Sequence, residues 1–404
     1  MNNLSKKVGS LIAACCLTTS AHAADINWSG FGTIGVGQTL DSDSVYRTNA
    51  IAGVSSDQNG NLDDKLTFDA LSIIALQASS NLGDGLNATV QIKAAGADSW
   101  DAKIEWAYLS YDLTPTLKVQ AGRKLIPIYS YTDSIDVGYT YHWIRPPADV
   151  YSVPANKYDG VNLMYQDFYG DWEVSSNVLF GRLTDDENAY GSDNPLSYRV
   201  WGGSVEATLD DWATFRLAGF KYEEFDIQGD VGGGLELSPF NAEYFGAAVK
   251  LRPSDNLFIV AEYTWYETTA PNLSYETAEE LAGLPAGSLG TGPIPDAKLA
   301  NDLDAAWFVS AAYTMGMWTP HLTYSVQEFK DQGSNLALLD AGGSVVDVNT
   351  IIVGARYDFH PSASLKMEYH MYSDDTKTAG AATPRFGNDD DNTDAIQVAI
   401  DFIF

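Results

Sequence analysis

The last ten residues, AIQVAIDFIF (Ala395–Phe404), alternate without a break. Ile396, Val398, Ile400, Phe402 and Phe404 fall on one side of an extended chain; Gln397, Ala399, Asp401 and Ile403 fall on the other. A period of two belongs to a β-strand whose two faces meet different surroundings. ASLKMEYHMY repeats it, with Leu365, Met367, Tyr369 and Met371 against Lys366, Glu368, His370 and Tyr372. NTIIVGARYDF does so again, with Ile351, Val353, Ala355, Tyr357 and Phe359 against Ile352, Gly354, Arg356 and Asp358. The pattern predicts sixteen strands, over 26–40, 66–80, 86–95, 102–113, 116–125, 159–168, 172–182, 198–209, 212–224, 241–252, 256–267, 303–314, 317–328, 347–359, 363–373 and 393–404.

The connections sort by length. NLGDG, LTP, YGD, DD, PSD, MG and HPS are short. Segments 41–65, 126–158, 183–197, 225–240, 268–302, 329–346 and 374–392 are long and rich in Gly, Asp, Asn, Ser and Pro; 96–101 is shorter. A soluble sandwich has no reason to alternate tight turns with long loops. An up-and-down barrel in an outer membrane does, with the tight turns on the periplasmic side. No run of 18 or more apolar residues follows residue 23, so no helical span is expected. In hydrocarbon every backbone N–H and C=O needs a partner, so a sheet that enters the membrane must close on itself. Polar residues on one face of nearly every strand require a wet interior, and about sixteen strands enclose an aqueous channel. The predicted fold class is all-β: a transmembrane antiparallel up-and-down barrel of sixteen strands.

The first 23 residues read as a secretory leader, leaving 24–404 as the barrel domain. Lys6 and Lys7 precede the short apolar run VGSLIAACCLTT, and AHA (Ala21–Ala23) fits a cleavage site. Cys15 and Cys16 both lie in the leader, so no disulfide or thiolate chemistry is expected in the mature chain. IAAC also resembles a lipoprotein signal with a lipidated Cys15. The short apolar run before Cys15 and the cleavage site after it favour the first reading.

Several function classes drop out. The formal net charge of −31 makes nucleic acid a poor partner, since phosphate contacts need Lys and Arg. Gly30, Gly32 and Gly35 in SGFGTIGVG match a dinucleotide-binding pattern, but no strand precedes them and no helical period follows. They instead fall in the first barrel strand, where glycine permits a bend or a close approach. His142, His321, His360 and His370 lack metal-ligand spacing, and no G-x-S-x-G elbow or P-loop occurs. No catalytic residue, metal or cofactor is expected. GNDDDN (Gly387–Asn392) could hold a divalent ion that bridges lipopolysaccharide; a solvated charge run is the simpler reading. Trp172, Tyr111, Tyr169, Phe359 and Phe404 near the short turns, and Tyr266, Trp265 and Tyr372 near the long loops, are expected to form interfacial girdles.

NLGDGLNATVQIKA (81–94), WAYLSYDL with LKVQAGRK (106–124) and the terminal Phe404 with alternating apolar residues upstream, Phe402 among them, resemble the trimeric general porins of Gram-negative outer membranes. The likeness extends over 26–404. It implies a homotrimer in the bacterial outer membrane, in contact with lipid and lipopolysaccharide, with Phe402 and Phe404 as the signal for the barrel-assembly machinery. It implies passive diffusion of small hydrophilic solutes and ions. It also implies that a third external loop, Ile126 to Asp159, folds inward as a constriction. That loop carries Asp133, Asp136, His142, Arg145 and Asp149, and its Trp143 and Pro146-Pro147 suggest a packed, stiff course.

Parity assigns the pore wall. Lys93, Lys118, Lys124, Arg216, Lys250, Glu262, Arg356, Lys366 and Glu368 fall on the lumen side, with Gln120, Asn177, His321, His370 and Asp401. A Lys or Arg facing mid-membrane lipid costs ~2–4 kcal/mol, so the assignment discriminates. Arg123 and Lys124 cannot both obey it; one must sit at a strand end, or a bulge resets the face. Loop acids facing wall cations would sort solutes by size, charge and dipole; charges paired around the wall are the simpler alternative. A substrate-selective channel for sugars, carboxylates or peptides would use the loop's aromatic residues. A non-conducting structural or adhesive barrel would use the acidic external loops.

Overall fold

The computed structural model describes residues 25–42, 44–48, 60–153, 156–185, 196–227, 240–269, 287–288, 302–331, 344–374, 377–378 and 392–404. The leader, with its cleavage site and cysteines, lies outside them, as does nearly all of GNDDDN.

Sixteen long strands follow in chain order: β1 (Ile26–Thr39), β2 (Ile73–Gly83), β3 (Leu86–Ala95), β4 (Lys103–Thr114), β5 (Leu117–Leu125), β6 (Lys157–Tyr169), β7 (Trp172–Asp185), β8 (Leu196–Leu209), β9 (Ala213–Ile227), β10 (Phe240–Ser254), β11 (Leu257–Thr269), β12 (Asp302–Tyr313), β13 (Trp318–Asp331), β14 (Ser344–His360), β15 (Ala363–Asp374) and β16 (Asn392–Ile403). Each is antiparallel to the next, and β1 closes on β16. β1 serves two neighbours: Ile26–Thr33 pair with β2, and Phe31–Thr39 pair with β16. The seam ends on a reciprocal pair, Gly30 N donating to Phe404 O at 2.8 Å and Phe404 N donating to Gly30 O at 2.9 Å. No helix among the described residues is long and apolar enough to cross a membrane, which leaves barrel strands unaddressed.

The faces follow the period of two. On β13, Leu322 and Tyr324 are exposed while His321, Thr323 and Ser325 are buried inside. On β16, Ile396 and Ile400 face out while Gln397 and Asp401 face in. The tension between Arg123 and Lys124 resolves at a strand end. Lys124 turns inward and donates to Gln120 Oε1 at 2.8 Å; Arg123, near the external end of β5, faces out and is held by Asp159 on β6.

Three differences from the sequence pattern have physical causes. β2 begins at Ile73, not at residue 66, because Leu71 belongs to a loop that folds into the barrel mouth. That loop forms a small hairpin, Tyr46–Arg47 with Asn61–Leu62, and presses the wholly buried Leu62 and Leu71 onto the inner face of β1. A bulge on β4 opposite Gln91 and Ile92 turns Glu105 inward, where it is buried. Tyr266 and Tyr372 do not join an outer girdle: Tyr266 packs inside against Tyr222, and Tyr372 against Tyr46. On the outer face Tyr111, Tyr169, Phe359 and Phe404 are exposed near the short turns.

The first-strand glycines have a packing role. A Cβ on Gly30 would lie 2.3 Å from the Phe404 ring, and one on Gly32 would lie 2.5 Å from the Phe402 ring. The two terminal rings therefore lie flat across β1 and cover the seam. Gly32→Val must displace Phe402, and overpacking of this kind costs about 1–3 kcal/mol. The variant is expected to lose its folded, fast-migrating band at a lower temperature in a heat-modifiability gel; unchanged mobility at every temperature would count against this role.

Candidate pore constriction

The chain between β5 and β6 does not leave the barrel. Ile126 N donates to Asn156 O at 2.7 Å and closes the base of the loop. From there the segment enters the lumen through two short 3-10 turns, Thr132–Ser134 and Gly138–Thr140. Its apolar and aromatic content explains the course. Tyr131, Tyr141, Trp143 and Val150 bury themselves against Val260, Ala306 and Phe308 of the wall. Ile128 and Tyr129 pack with Tyr158, Leu179, Tyr198 and Tyr244. Trp143 is completely buried, and its indole N–H donates to Thr323 at 2.8 Å.

Folding a loop inward strips its carbonyls of water, and the wall supplies donors. Arg216 on β9 donates to the carbonyls of Ile128, at 3.0 Å, and Pro127. Arg356 on β14 donates to those of Tyr139 and Tyr141, at 2.6 and 3.0 Å. Lys366 on β15 donates to those of Gly138 and Trp143 and pairs with Asp401 on β16 at 2.8 Å. Lys250 on β10 lies 4.5 Å over the Tyr131 ring. Two wall acids accept from the loop: Glu262 from Ser130 N at 2.8 Å and Tyr151 Oη at 2.6 Å, and Glu368 from Ile144 N at 2.8 Å. Thus Arg216, Glu262, Arg356, Lys366 and Glu368 meet the loop.

The loop's own charged residues divide. Asp136 pairs with Lys93 on β3 at 2.9 Å. Burial opposes its charge, but Lys93, with Arg145 and Lys157 behind it, holds the carboxyl below the ordinary carboxylate range. Asp149 is buried and accepts from Ser325 at 2.5 Å; burial raises its carboxyl above that range. His142 lies 2.9 Å from Ser310, and burial, with His321, Lys366 and Arg356 nearby, pushes its imidazole well below the usual value. Arg145 donates to the Leu71 carbonyl at 2.9 Å, tying this loop to the first one. Asp133 is the exposed member, and its charge reaches Lys124 and Tyr158.

The loop's hydrogen bonds and ion pairs to the wall, among the described residues, reach β1, β3 and β9–β15. The inner faces of β5, β6 and β7 carry Gln120, Lys124, Asn162 and Asn177 instead. On the periplasmic side a cavity of ≈ 930 Å³ opens between loop and wall, lined among others by Lys118, Asp133, Asn177, Ser204, Arg216 and Lys250. Lys118 lies low in it, 3.3 Å from Asp112. A second cavity of ≈ 380 Å³ reaches Tyr141, Arg252 and Arg356. Parity does not find Glu105, which a bulge brings in; its partners Lys93 and Lys157, at 3.4 and 3.2 Å, are cations from separate strands.

A family model described as Gram-negative porin matches residues 10–378. No curated protein matches the sequence significantly. Among solved structures, a loop-deletion mutant of OmpT, an outer membrane protein of Vibrio cholerae, is 13% identical, with a TM-score of 0.57 over 95% of this chain and 100% of that one. The outer membrane channel DcaP of Acinetobacter baumannii is 14% identical, with a TM-score of 0.56 over 96% of this chain and 99% of that one. OmpF of Salmonella typhi, in complex with daunomycin, is 15% identical, with a TM-score of 0.56 over 96% of this chain and 100% of that one. At these identities the likeness is one of fold. The chain belongs to the Gram-negative porin family, as an outer-membrane barrel that forms a channel for passive diffusion.

Proposed function

We propose that this channel is a general one, in which solutes pass along the β5–β7 wall and are sorted by the charges of Asp133 on the loop and Lys124 on β5. The observation that carries the reading is the uneven seating of the loop. Hydrogen-bonded to the wall over β1, β3 and β9–β15 and packed on the external side against Tyr158, Leu179 and Tyr198, it leaves a polar cavity below it that Gln166, Asn177, Ser204 and Glu206 line. Small hydrophilic solutes fit such a space, and an acid on the loop with a base on the wall acts on their charge and dipole. No cofactor, energy source or catalytic step is needed.

The aromatic residues favour this over a substrate-selective channel. Tyr129, Tyr131, Tyr141 and Trp143 are at most 9% exposed, so they are not available to stack on a passing sugar. We infer that Lys93, Asp136, Arg145, Asp149, His142, Arg216, Glu262, Arg356, Lys366 and Glu368 hold the loop, and that Lys118 and Lys250 border the periplasmic vestibule. The functional unit is proposed to be a homotrimer, the state of one form of OmpT of Vibrio cholerae, which shares the fold. The outer faces of β1–β3 support it: Ile34, Ile74, Leu76, Val90 and Ile92 form an exposed apolar surface. Residues 1–23 would be cleaved on export. Phe402 and Phe404 would serve the assembly machinery before the seam closes.

Reversal potentials across a salt gradient in planar bilayers test the aperture. Asp133→Lys is expected to move the potential toward anion preference and Lys124→Glu toward cation preference. Unchanged potentials in both would sink the reading. Asp136→Asn, which removes an inner ion pair, is expected to leave selectivity near that of the parent and to change gating. Arg216→Met withdraws donors from the carbonyls of Pro127 and Ile128, and a buried carbonyl left unsatisfied costs about 1–3 kcal/mol. Its single-channel trace should show higher open-state noise; a trace as quiet as the parent's would argue against wall anchoring.

A further inference from the structure

Two cations of β10 rest on aromatic rings instead of carboxylates. Lys250 and Arg252 are two residues apart on one face of the strand, so their Cα atoms lie about 7 Å apart and their long stems let both heads reach one ligand. Lys250 Nζ lies 4.5 Å over Tyr131 of the loop, and Arg252 Cζ lies 4.9 Å over Phe258 of β11. Lys250 also approaches the Ser130 carbonyl, at a long 3.5 Å. Neither cation forms an ion pair among the described residues. Both border the ≈ 380 Å³ cavity on the short-turn side of the loop, a volume within the range of small-molecule pockets.

The charges around this cavity do not balance. Lys250, Arg252 and Arg356 border it against Asp211 and Asp358, and Arg356 already holds Asp358 at 2.7 Å. Two cations then stand against Asp211, in the turn before β9. Two further wall acids whose charge reaches Lys250 are engaged elsewhere: Glu262 accepts from Ser130 N and Tyr151, and Glu206 is the cross-strand partner of Arg216. The lining narrows what can fill the deficit. A guanidinium grips phosphate with two parallel bonds, and an ammonium adds a point charge. A phosphate monoester carries about −1.5 to −2 at pH 7, enough for both cations, whereas a carboxylate carries a single charge. The hydroxyls of Thr214, Thr314 and Thr319 line the same space and suit a short body that carries hydroxyl groups.

We propose that this cavity is a subsite for small hydroxylated phosphate monoesters, with Arg252 gripping the phosphate, Lys250 beside it and the threonine hydroxyls meeting the body. Tyr131 and Phe258 carry the two cations and are not stacking platforms for the solute. The subsite belongs to β9–β14 and the short turns, so it acts on solutes apart from Asp133 and Lys124 and goes beyond the general reading of the channel without resting on it.

Planar-bilayer recordings of the full mature protein, with glycerol phosphate as the probe, test this. The probe should reduce the single-channel potassium chloride current saturably, and glycerol at the same concentration should not. Arg252→Gln and Lys250→Gln should each raise the half-blocking concentration about tenfold or more. Arg252 is exposed, so Arg252→Gln serves if the other variant does not fold. Lys221→Gln, whose parent side chain pairs with Glu243 at 3.1 Å, should be blocked as the parent is. Absence of block in the parent, or equal block of parent and both variants, would overturn the proposal. Glutarate blocking as strongly as the probe would mark a carboxylate site and overturn the ligand class. Inorganic phosphate blocking as strongly as the ester would show the hydroxyls idle and overturn it likewise. Variants of Asp133 and Lys124 should retain the block, so this test and that of the aperture fail separately.

Discussion

An antiparallel sheet surrounded by hydrocarbon cannot end in an edge, because each unpaired N–H and C=O there has no water to turn to. Every other feature of this protein rests on the seam that removes that edge. β1 is shared between β2 and β16, and its last rungs are the reciprocal bonds of Gly30 with Phe404. Glycine is required there for a reason outside the backbone: the rings of Phe402 and Phe404 occupy the space a side chain would take. The two ends of the chain, far apart in sequence, thus close the wall and cover the closure with the same residues.

Once closed, the barrel has an inside that must be furnished. Wall cations such as Arg216, Arg356 and Lys366 would keep unused donors in a half-dry lumen, and a loop bent inward would bring carbonyls without partners. Each deficit offsets the other. The aromatic residues of the loop add apolar contact on both sides, and the hydrogen bonds that fix its main chain come from one sector of the wall.

Much of this was legible in the sequence. Strand number, the sorting of turns from loops and the direction of most side chains follow from a period of two and the cost of charge in lipid. What periodicity could not carry is anything decided between distant segments. Lys366 reads correctly as inward-facing, but its hydrogen bonds to Gly138 and Trp143 join residues more than two hundred positions apart, and no local pattern records them. Glu105 was hidden by a bulge. Tyr266 and Tyr372 looked like interfacial aromatics because their place near strand ends was read without their parity. Residues 66–72 resembled the start of a strand because a docked loop also buries apolar residues, here Ala70 and Leu71 in succession.

The anchoring of the loop by its main chain has a consequence for how such a channel can diversify. Arg216, Arg356 and Lys366 recognise carbonyl oxygens, which every amino acid possesses. Side chains that project from the loop toward the open lane can then be exchanged while the grip on the backbone persists. Asp133 is such a position: its neighbours hold the course of the chain, and its own carboxylate makes no hydrogen bond or ion pair among the described residues. The wall functions as a frame that keeps a path and leaves the chemistry along it open to revision.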